Sequence, residues 1–208
     1  MGTFTVIRPA DDTDAQQASD WADALIARLT ADGHTKVTDV DSATPADTVN
    51  VENAYKGTAD LVCYFGHGDE DNWLTNSSPT LSGSALPPCG AKAVVSVACK
   101  TGCKLGPAAV TSGVDSWLGF TIKVAIIKPY LNVDTIGEAI VEGLEGLGKR
   151  HWMQDARDNI EANFDALVNH YDTGKYSGHP AAEFGYYAAL ALRDHVVLHG
   201  RSSCKPLP

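Results

Sequence analysis

The sequence predicts an α/β protein built on a mostly parallel sheet of six strands with helices on its faces. Short apolar runs alternate with amphipathic stretches in the first third of the chain, which is the pattern of βαβ units. Two fully apolar runs, at 60–65 and 93–98, have the length of buried parallel strands. With 44% hydrophobic residues among 208, the chain can fill the core of a single domain, 1–208, with a C-terminal tail at about 200–208.

The first half is expected to form a βαβαβ pattern. Trp21, Leu25 and Leu29 recur at helical spacing, and Gly33 follows as a helix stop. The elements predicted in this half are strands at Phe4–Ile7, Lys36–Val40 and 60–65, and helices at Ala15–Ala31 and Ala46–Tyr55.

The second half is expected to add three strands and four helices. Asp134 is placed to cap one helix, and Pro180 stands at a first-turn position of another. The predicted strands are 93–98, about 114–120 and 196–198, and the predicted helices are 105–111, 134–147, 151–170 and 180–192.

The segment 69–92 lacks a long periodic stretch and is rich in turn-forming residues. A connection of this length in a compact domain is more often functional than accidental. We therefore predict a mobile loop for substrate binding or activation.

Composition excludes several classes of function. The 16 Lys and Arg against 26 Asp and Glu leave a net charge of −10 without a basic run, which argues against nucleic-acid binding. The start has no signal-peptide pattern, and no stretch of 18 apolar residues suits a membrane. We expect a cytoplasmic protein with reduced thiols, no metal and no cofactor; Cys63 would be a core residue and Cys204 would lie in the tail.

Two residues with catalytic chemistry follow the two apolar strands. His67 comes just after the strand at 60–65, and Cys99 just after the strand at 93–98. If these strands are parallel neighbours, both side chains emerge at the carboxyl edge of the sheet, where open α/β sheets place their ligand sites. A thiolate and an imidazole are the pair needed for nucleophilic catalysis, and Lys100, Lys104 and the following helix would lower the pKa of Cys99.

These motifs resemble the caspase-like cysteine peptidase superfamily, which includes caspases, metacaspases, gingipains, separases, legumains and the CHAT domain. The resemblance lies in Phe65-Gly66-His67-Gly68, in Val97-Ala98-Cys99-Lys100-Thr101-Gly102 and in Leu105-Gly106-Pro107-Ala108. The 32 positions from His67 to Cys99 are fewer than the roughly 50 of caspases and are closer to the gingipain and CHAT branch. The Gln-Ala-Cys-Arg-Gly signature of caspases is absent.

The resemblance implies a three-layer α/β/α domain and a cysteine endopeptidase with a His67–Cys99 dyad that acts on a protein or peptide. The short chain, without a receptor or repeat domain, suggests control by a partner protein or by processing. It also implies an oxyanion hole made by the Gly68 and Cys99 amides. An acid after the first strand would select a basic P1 residue. The candidates are Asp11, Asp12 and Asp14, with Asp69 and Glu70 as rivals beside His67.

Other interpretations of the same residues stay open. Cys99 has the setting of an inert core thiol as well, and the Asp turn has that of a solvated helix cap. A silent interaction domain of the same fold, or a redox protein using Cys99 and Cys103, are alternative functions. A zinc site from Cys89, Cys99, Cys103 and His67 matches no common spacing.

Overall fold

The structure is a computed structural model that describes residues 1–41, 46–127 and 134–208. The strands are β1 Thr3–Ile7, β2 Thr35–Val40, β3 Leu61–Phe65, β4 His67–Gly68, β5 Asn72–Thr75, β6 Ser78–Ser82, β7 Ala93–Val97, β8 Ser116–Phe120 and β9 Val196–Gly200. The α-helices are α1 Thr13–Ala31, α2 Thr48–Lys56, α3 Leu105–Thr111, α4 Thr135–Glu145, α5 Met153–Asp172 and α6 Ala182–His195. Two short 3₁₀ helices lie at Gly83–Ala85 and Gly146–Lys149.

The main sheet has six strands in the order β2-β1-β3-β7-β8-β9. All neighbouring pairs are parallel except β8 and β9. The predicted six-stranded, mostly parallel sheet is therefore confirmed. Strand β9 follows α6 directly and runs back along β8, which makes it the one antiparallel edge.

Side chains alternate between two hydrophobic layers, one on each face of the sheet. In β3, Cys63 and Phe65 pack in the layer with α1, α4, α5 and α6, whereas Val62 and Tyr64 pack in the layer with α2 and α3. Strands β3 and β7 are buried along their whole length because both faces are covered. The predicted three-layer arrangement is confirmed.

A second, smaller sheet occupies part of the segment 69–92, where the sequence predicted a loop. Strands β4, β5 and β6 form an antiparallel sheet of three, and the β5–β6 hairpin buries Trp73 and Leu81. Its two-residue turn places Asn76 and Ser77 in the left-handed region, at φ 49° and 60°. A two-residue turn with both φ values positive suits hairpin twist. The prediction of an irregular loop is thus wrong for residues 72–82, because an Asn-Ser turn is a weak sequence signal.

Beyond β9 the last residues lie against the domain. Cys204 and Leu207 are buried, and the Cys204 carbonyl accepts a hydrogen bond from the Met153 amide at the start of α5. The segment expected as a tail therefore contributes to the core. In the described parts of the chain, no helix combines the length and the apolar character needed to cross a bilayer.

Candidate functional site

The two candidate catalytic side chains stand at the ends of neighbouring strands. Strands β3 and β7 pair in parallel up to Phe65 and Val97, and the Gly66 amide donates to the Val97 carbonyl at 3.2 Å. His67 and Cys99 each follow the last residue of their strand by two positions. Both line the same two cavities, so the structure brings them to one site at the carboxyl edge of the sheet.

His67 has an acidic partner. Its Nε2 lies 2.8 Å from Oδ2 of Asp12, and 31% of the His67 side chain is exposed. The other oxygen of Asp12 accepts the Ala15 amide at 2.9 Å and so caps α1. The hydrogen bond from Ala15, and then the interaction with His67, hold the pKa of Asp12 below its ordinary value. One carboxylate therefore begins a helix and orients the imidazole.

The Cys99 thiol is largely enclosed, and burial raises its pKa. A hydrogen bond from the Val124 backbone and the charges of Lys123 and Lys100 act in the opposite direction, but desolvation outweighs them. Asp14 adds to the increase. Lys100 thus lowers the pKa of Cys99 as expected, but the net shift is upward.

Lys104, the other cation expected to activate Cys99, forms an ion pair with Glu70 at 2.8 Å. The Glu70 carbonyl also accepts the Lys104 and Leu105 amides at the start of α3. This pair is exposed on the surface, so Glu70 serves the helix start and does not face Cys99.

The segments that carry His67 and Cys99 are in close contact through Gly68. A Cβ at Gly68 would lie 2.7 Å from Cγ2 of Thr101 and 3.1 Å from both the Ala98 Cβ and the Cys99 carbonyl oxygen. Only glycine allows this approach. After Cys99 the backbone turns through Lys100, at φ 58°, and its amide donates to the Ile122 carbonyl at 2.9 Å. Among the described residues, the Cys99 amide donates to no backbone carbonyl.

The acidic candidates for a substrate pocket have different surroundings. Asp11 accepts the Asn76 amide at the hairpin turn, and Asp69 accepts the amides of Asp71 and Asn72 at 2.8 Å each. The carboxylates of Asp11 and Asp69 thus accept hydrogen bonds from backbone amides, and that of Asp12 contacts the His67 imidazole. Asp14 lines the narrow cavity beside Cys99 and has no ion pair within the described ranges, whereas Asp12 and Asp69 line a wider cavity with Cys99.

Two cavities are lined by Cys99, and a third lies next to one of them. A narrow one of about 100 Å³ is lined by Asp14, Trp21, His67 and Cys99, with Lys123 at its wall. A wider one of about 370 Å³ opens on the other side of His67 and Cys99, toward the hairpin. A third, of about 500 Å³, adjoins the first and is mostly apolar, with walls from Val124, Ala125, Ile126, Phe184, Tyr187 and Ala188.

The remaining thiols are separated. Cys63 is fully buried, which raises its pKa to about 12 and confirms it as a core residue. Cys89 contacts the Tyr55 carbonyl at 3.3 Å and packs in the layer opposite to Cys99. Cys103 is exposed and donates to the Thr121 carbonyl at 3.3 Å.

These positions bear on the alternative interpretations. All five cysteines are free, and the described residues contain no group of three or more His, Cys, Asp or Glu arranged to hold a metal ion. Cys89 lies on the other face of the sheet from Cys99, so the four ligands of the zinc alternative are not brought together.

Sequence reasoning missed several residues of this site. Asp12 lines the wider cavity, but its contact with His67 is not an expectation of the sequence, and Lys123 is not singled out by the sequence although it lines all three cavities. The position of Asp12 as a helix cap is readable from sequence, whereas its distance to His67 is not. Lys123 carries no local signal, because it lies in an irregular stretch after β8.

Similarity to known proteins is found at the level of structure. No family model matches the sequence, and no curated protein matches it. Among solved structures, the chain is similar to the complex of Porphyromonas gingivalis RgpB pro- and mature domains, at a TM-score of 0.61 and 18% identity over 99% of this chain and 48% of that one. It is also similar to the Arg-specific cysteine proteinase gingipain R (RgpB), at a TM-score of 0.61 and 17% identity over 98% of this chain and 47% of that one.

At this level of identity the likeness concerns the fold, which is the caspase-like fold of gingipain. The chain spans about half the length of these structures. Similarity to the CHAT branch stays a prediction.

Proposed function

We propose that the protein is a cysteine peptidase in which Cys99 is the nucleophile, His67 the general acid and base, and Asp12 the residue that orients His67. The observation that carries the proposal is the convergence of His67 and Cys99 on the same two cavities while Asp12 contacts the imidazole at 2.8 Å. A nucleophile, a base and a group that orients the base are the parts that acyl transfer requires.

The reaction would proceed in two stages. In the first, the Cys99 proton passes to His67 and the sulfur attacks the carbonyl carbon of the scissile bond. The amides of Gly68 and Cys99 would hold the resulting oxyanion. His67 then protonates the leaving amine, and the C–N bond breaks to leave a thioester.

In the second stage His67 takes a proton from water as its oxygen attacks the thioester carbonyl, and the thiol leaves with that proton.

We further propose that the preferred P1 residue is Arg or Lys and that Asp14 is its counter-ion. Asp14 lies at the narrow cavity beside Cys99, whereas Asp11, Asp12 and Asp69 hold other groups. A structurally similar protein is described as Arg-specific, which agrees with an acidic pocket. Lys123 at the same wall would disfavour a basic residue that does not reach the carboxylate.

A peptide library with varied P1 residues tests both proposals. Cys99→Ala and His67→Ala should abolish hydrolysis and leave the unfolding midpoint nearly unchanged, because both side chains lie at the sheet edge. Because Asp14 is exposed in the free protein, Asp14→Asn should lower kcat/KM for Arg and Lys substrates by about fivefold, the size expected for an exposed charge pair. Asp172→Asn, an exposed carboxylate at the far end of α5, is the matched control. A preference for an acidic or large apolar P1 residue would refute the pocket, and activity in Cys99→Ala would refute the mechanism.

A silent interaction domain is the second candidate, and the raised pKa of Cys99 is the observation that favours it. A peptidyl acyloxymethyl ketone with Arg at P1 alkylates a working thiol–imidazole pair. Labelling of wild-type protein at Cys99, absent in His67→Ala, supports the enzyme. No labelling of correctly folded wild-type protein supports the silent domain.

A further inference from the structure

The backbone of His67 is anchored by a buried tyrosine from the opposite face of the sheet. The Tyr64 hydroxyl lies 2.7 Å from the His67 carbonyl oxygen and 2.9 Å from the Leu74 carbonyl oxygen. Burial raises the pKa of Tyr64 above its ordinary value, so the hydroxyl stays protonated, and the two carbonyl oxygens share its one proton. A single phenol thus joins the His67 segment to strand β5 of the hairpin.

The ring of Tyr64 packs against Trp73, which connects it to the Cys99 segment. It stacks on the Trp73 indole with centroids 4.3 Å apart and planes 4° from parallel. The Trp73 Nε1 donates to the Ser96 hydroxyl at 2.9 Å, and that hydroxyl lies 2.9 Å from Oγ1 of Thr101. Ser96 precedes Cys99 by three residues and Thr101 follows it by two. One buried chain of contacts therefore runs from the His67 carbonyl to both sides of Cys99.

The need for such an anchor is visible in the local sequence. His67 stands between Gly66 and Gly68, which restrict the backbone least of all residues, and β4 is only two residues long. The backbone of β4 also pairs with β5, where His67 lies opposite Leu74. The other side chain that holds His67 is Asp12, which is 57% exposed and therefore open to solvent screening. Of the two side chains that contact His67, Tyr64 is the buried one.

We infer that Tyr64 is a positioning residue, which holds the His67 backbone so that the imidazole faces Cys99, with Trp73 and Ser96 coupling that position to the Cys99 segment. The inference rests on the proposed function for its catalytic consequence. Its structural part, the restraint on His67, stands without that function.

The experiment compares Tyr64→Phe with Tyr55→Phe. Tyr55 is equally buried and packs edge-on against the same Trp73, with centroids 5.8 Å apart. Within the described residues its hydroxyl donates to no backbone carbonyl, so the control removes the same atom from the same cluster without touching His67. Kinetics are measured at a temperature well below the unfolding midpoint of each variant.

Tyr64→Phe is expected to lower kcat by 10- to 100-fold with KM within threefold of wild type, and Tyr55→Phe to leave both constants within twofold. A loss caused only by instability would reduce the active fraction found by titration with an irreversible inhibitor and would leave kcat per active site intact. That result, or equal kcat values for the two variants, overturns the inference.

Amide hydrogen exchange at His67 and Gly68, measured without substrate, separates this inference from the proposed function. Exchange is expected to be at least tenfold faster in Tyr64→Phe than in Tyr55→Phe. If the wild-type protein cleaves no peptide and this difference is still found, the peptidase proposal fails and the restraint on His67 is supported. If exchange is equal in the two variants, the inference is overturned whether or not the protein is a peptidase.

Discussion

Replacing Gly68 by Ala tests whether the close approach of the His67 and Cys99 segments matters for the site. The added Cβ would lie 2.7 Å from Cγ2 of Thr101, whereas nonbonded carbon atoms are at their optimum about 3.5 to 4.0 Å apart. One of the two segments must therefore move by roughly 1 Å. The Ala98 Cβ and the Cys99 carbonyl oxygen, each at 3.1 Å, limit movement in other directions.

The magnitude follows from this displacement. Overpacking of a well-packed site costs about 1 to 3 kcal/mol of stability. A misplacement of catalytic groups by about 1 Å costs on the order of 100-fold in rate. We therefore expect Gly68→Ala to remain folded, with kcat/KM reduced by about 100-fold.

Peptide hydrolysis and thermal unfolding are measured together on three further variants. Gly178→Ala is the control, because a Cβ there meets no atom within 4 Å. Thr101→Ser removes the closest methyl group and keeps the hydroxyl beside Ser96, so Gly68→Ala/Thr101→Ser should recover about tenfold of the lost activity. Wild-type kinetics in Gly68→Ala, or no recovery in the double variant while Thr101→Ser alone is active, would refute the reasoning.

Three more predictions concern single side chains. Asp12→Asn can still cap α1 but removes the charge beside His67, so kcat/KM should fall about tenfold with little change in the unfolding midpoint. A loss of kcat/KM accompanied by a clear decrease in the unfolding midpoint would indicate a purely structural role. Asp14→Asn removes a charge that raises the pKa of Cys99, so the pH midpoint of alkylation by iodoacetamide should decrease, whereas Lys123→Met should increase it; shifts of the same sign would contradict this. Cys103→Ser should keep activity within twofold, because among the described groups the Cys103 thiol donates its hydrogen bond to the Thr121 carbonyl and not to the site. A complete loss of activity in folded protein would favour the redox alternative.

Much of the fold was predictable because its signals are local. Apolar runs of strand length, the helical spacing of Trp21, Leu25 and Leu29, and the glycines after strands all act within a few residues. They predicted the six strands of the main sheet, and the structure confirms them. The sequence also places His67 and Cys99 each after the carboxyl end of its strand. That β3 and β7 are parallel neighbours was only a condition of that argument, because no α-helix connects them, and the structure supplies the pairing.

The hairpin at 72–82 was not predictable from the same signals. Its turn uses Asn76 and Ser77 without a glycine, and Trp73 is buried there because a second layer of the protein covers it. The partner strand is local, but the residues that cover Trp73, among them Tyr64 and Trp117, come from distant parts of the chain, and periodicity cannot report them.

The sequence by itself determined the α/β class, the sheet edge that carries the site and the two residue types with nucleophile and base chemistry. Only the tertiary structure decided that Asp12 contacts the His67 imidazole and that Tyr64, stacked on Trp73, contacts the His67 carbonyl. It also decided that burial raises the pKa of Cys99 although neighbouring lysines lower it. The reason is physical: strand formation depends on neighbours in sequence, whereas desolvation and hydrogen-bond partners depend on which segments converge in space.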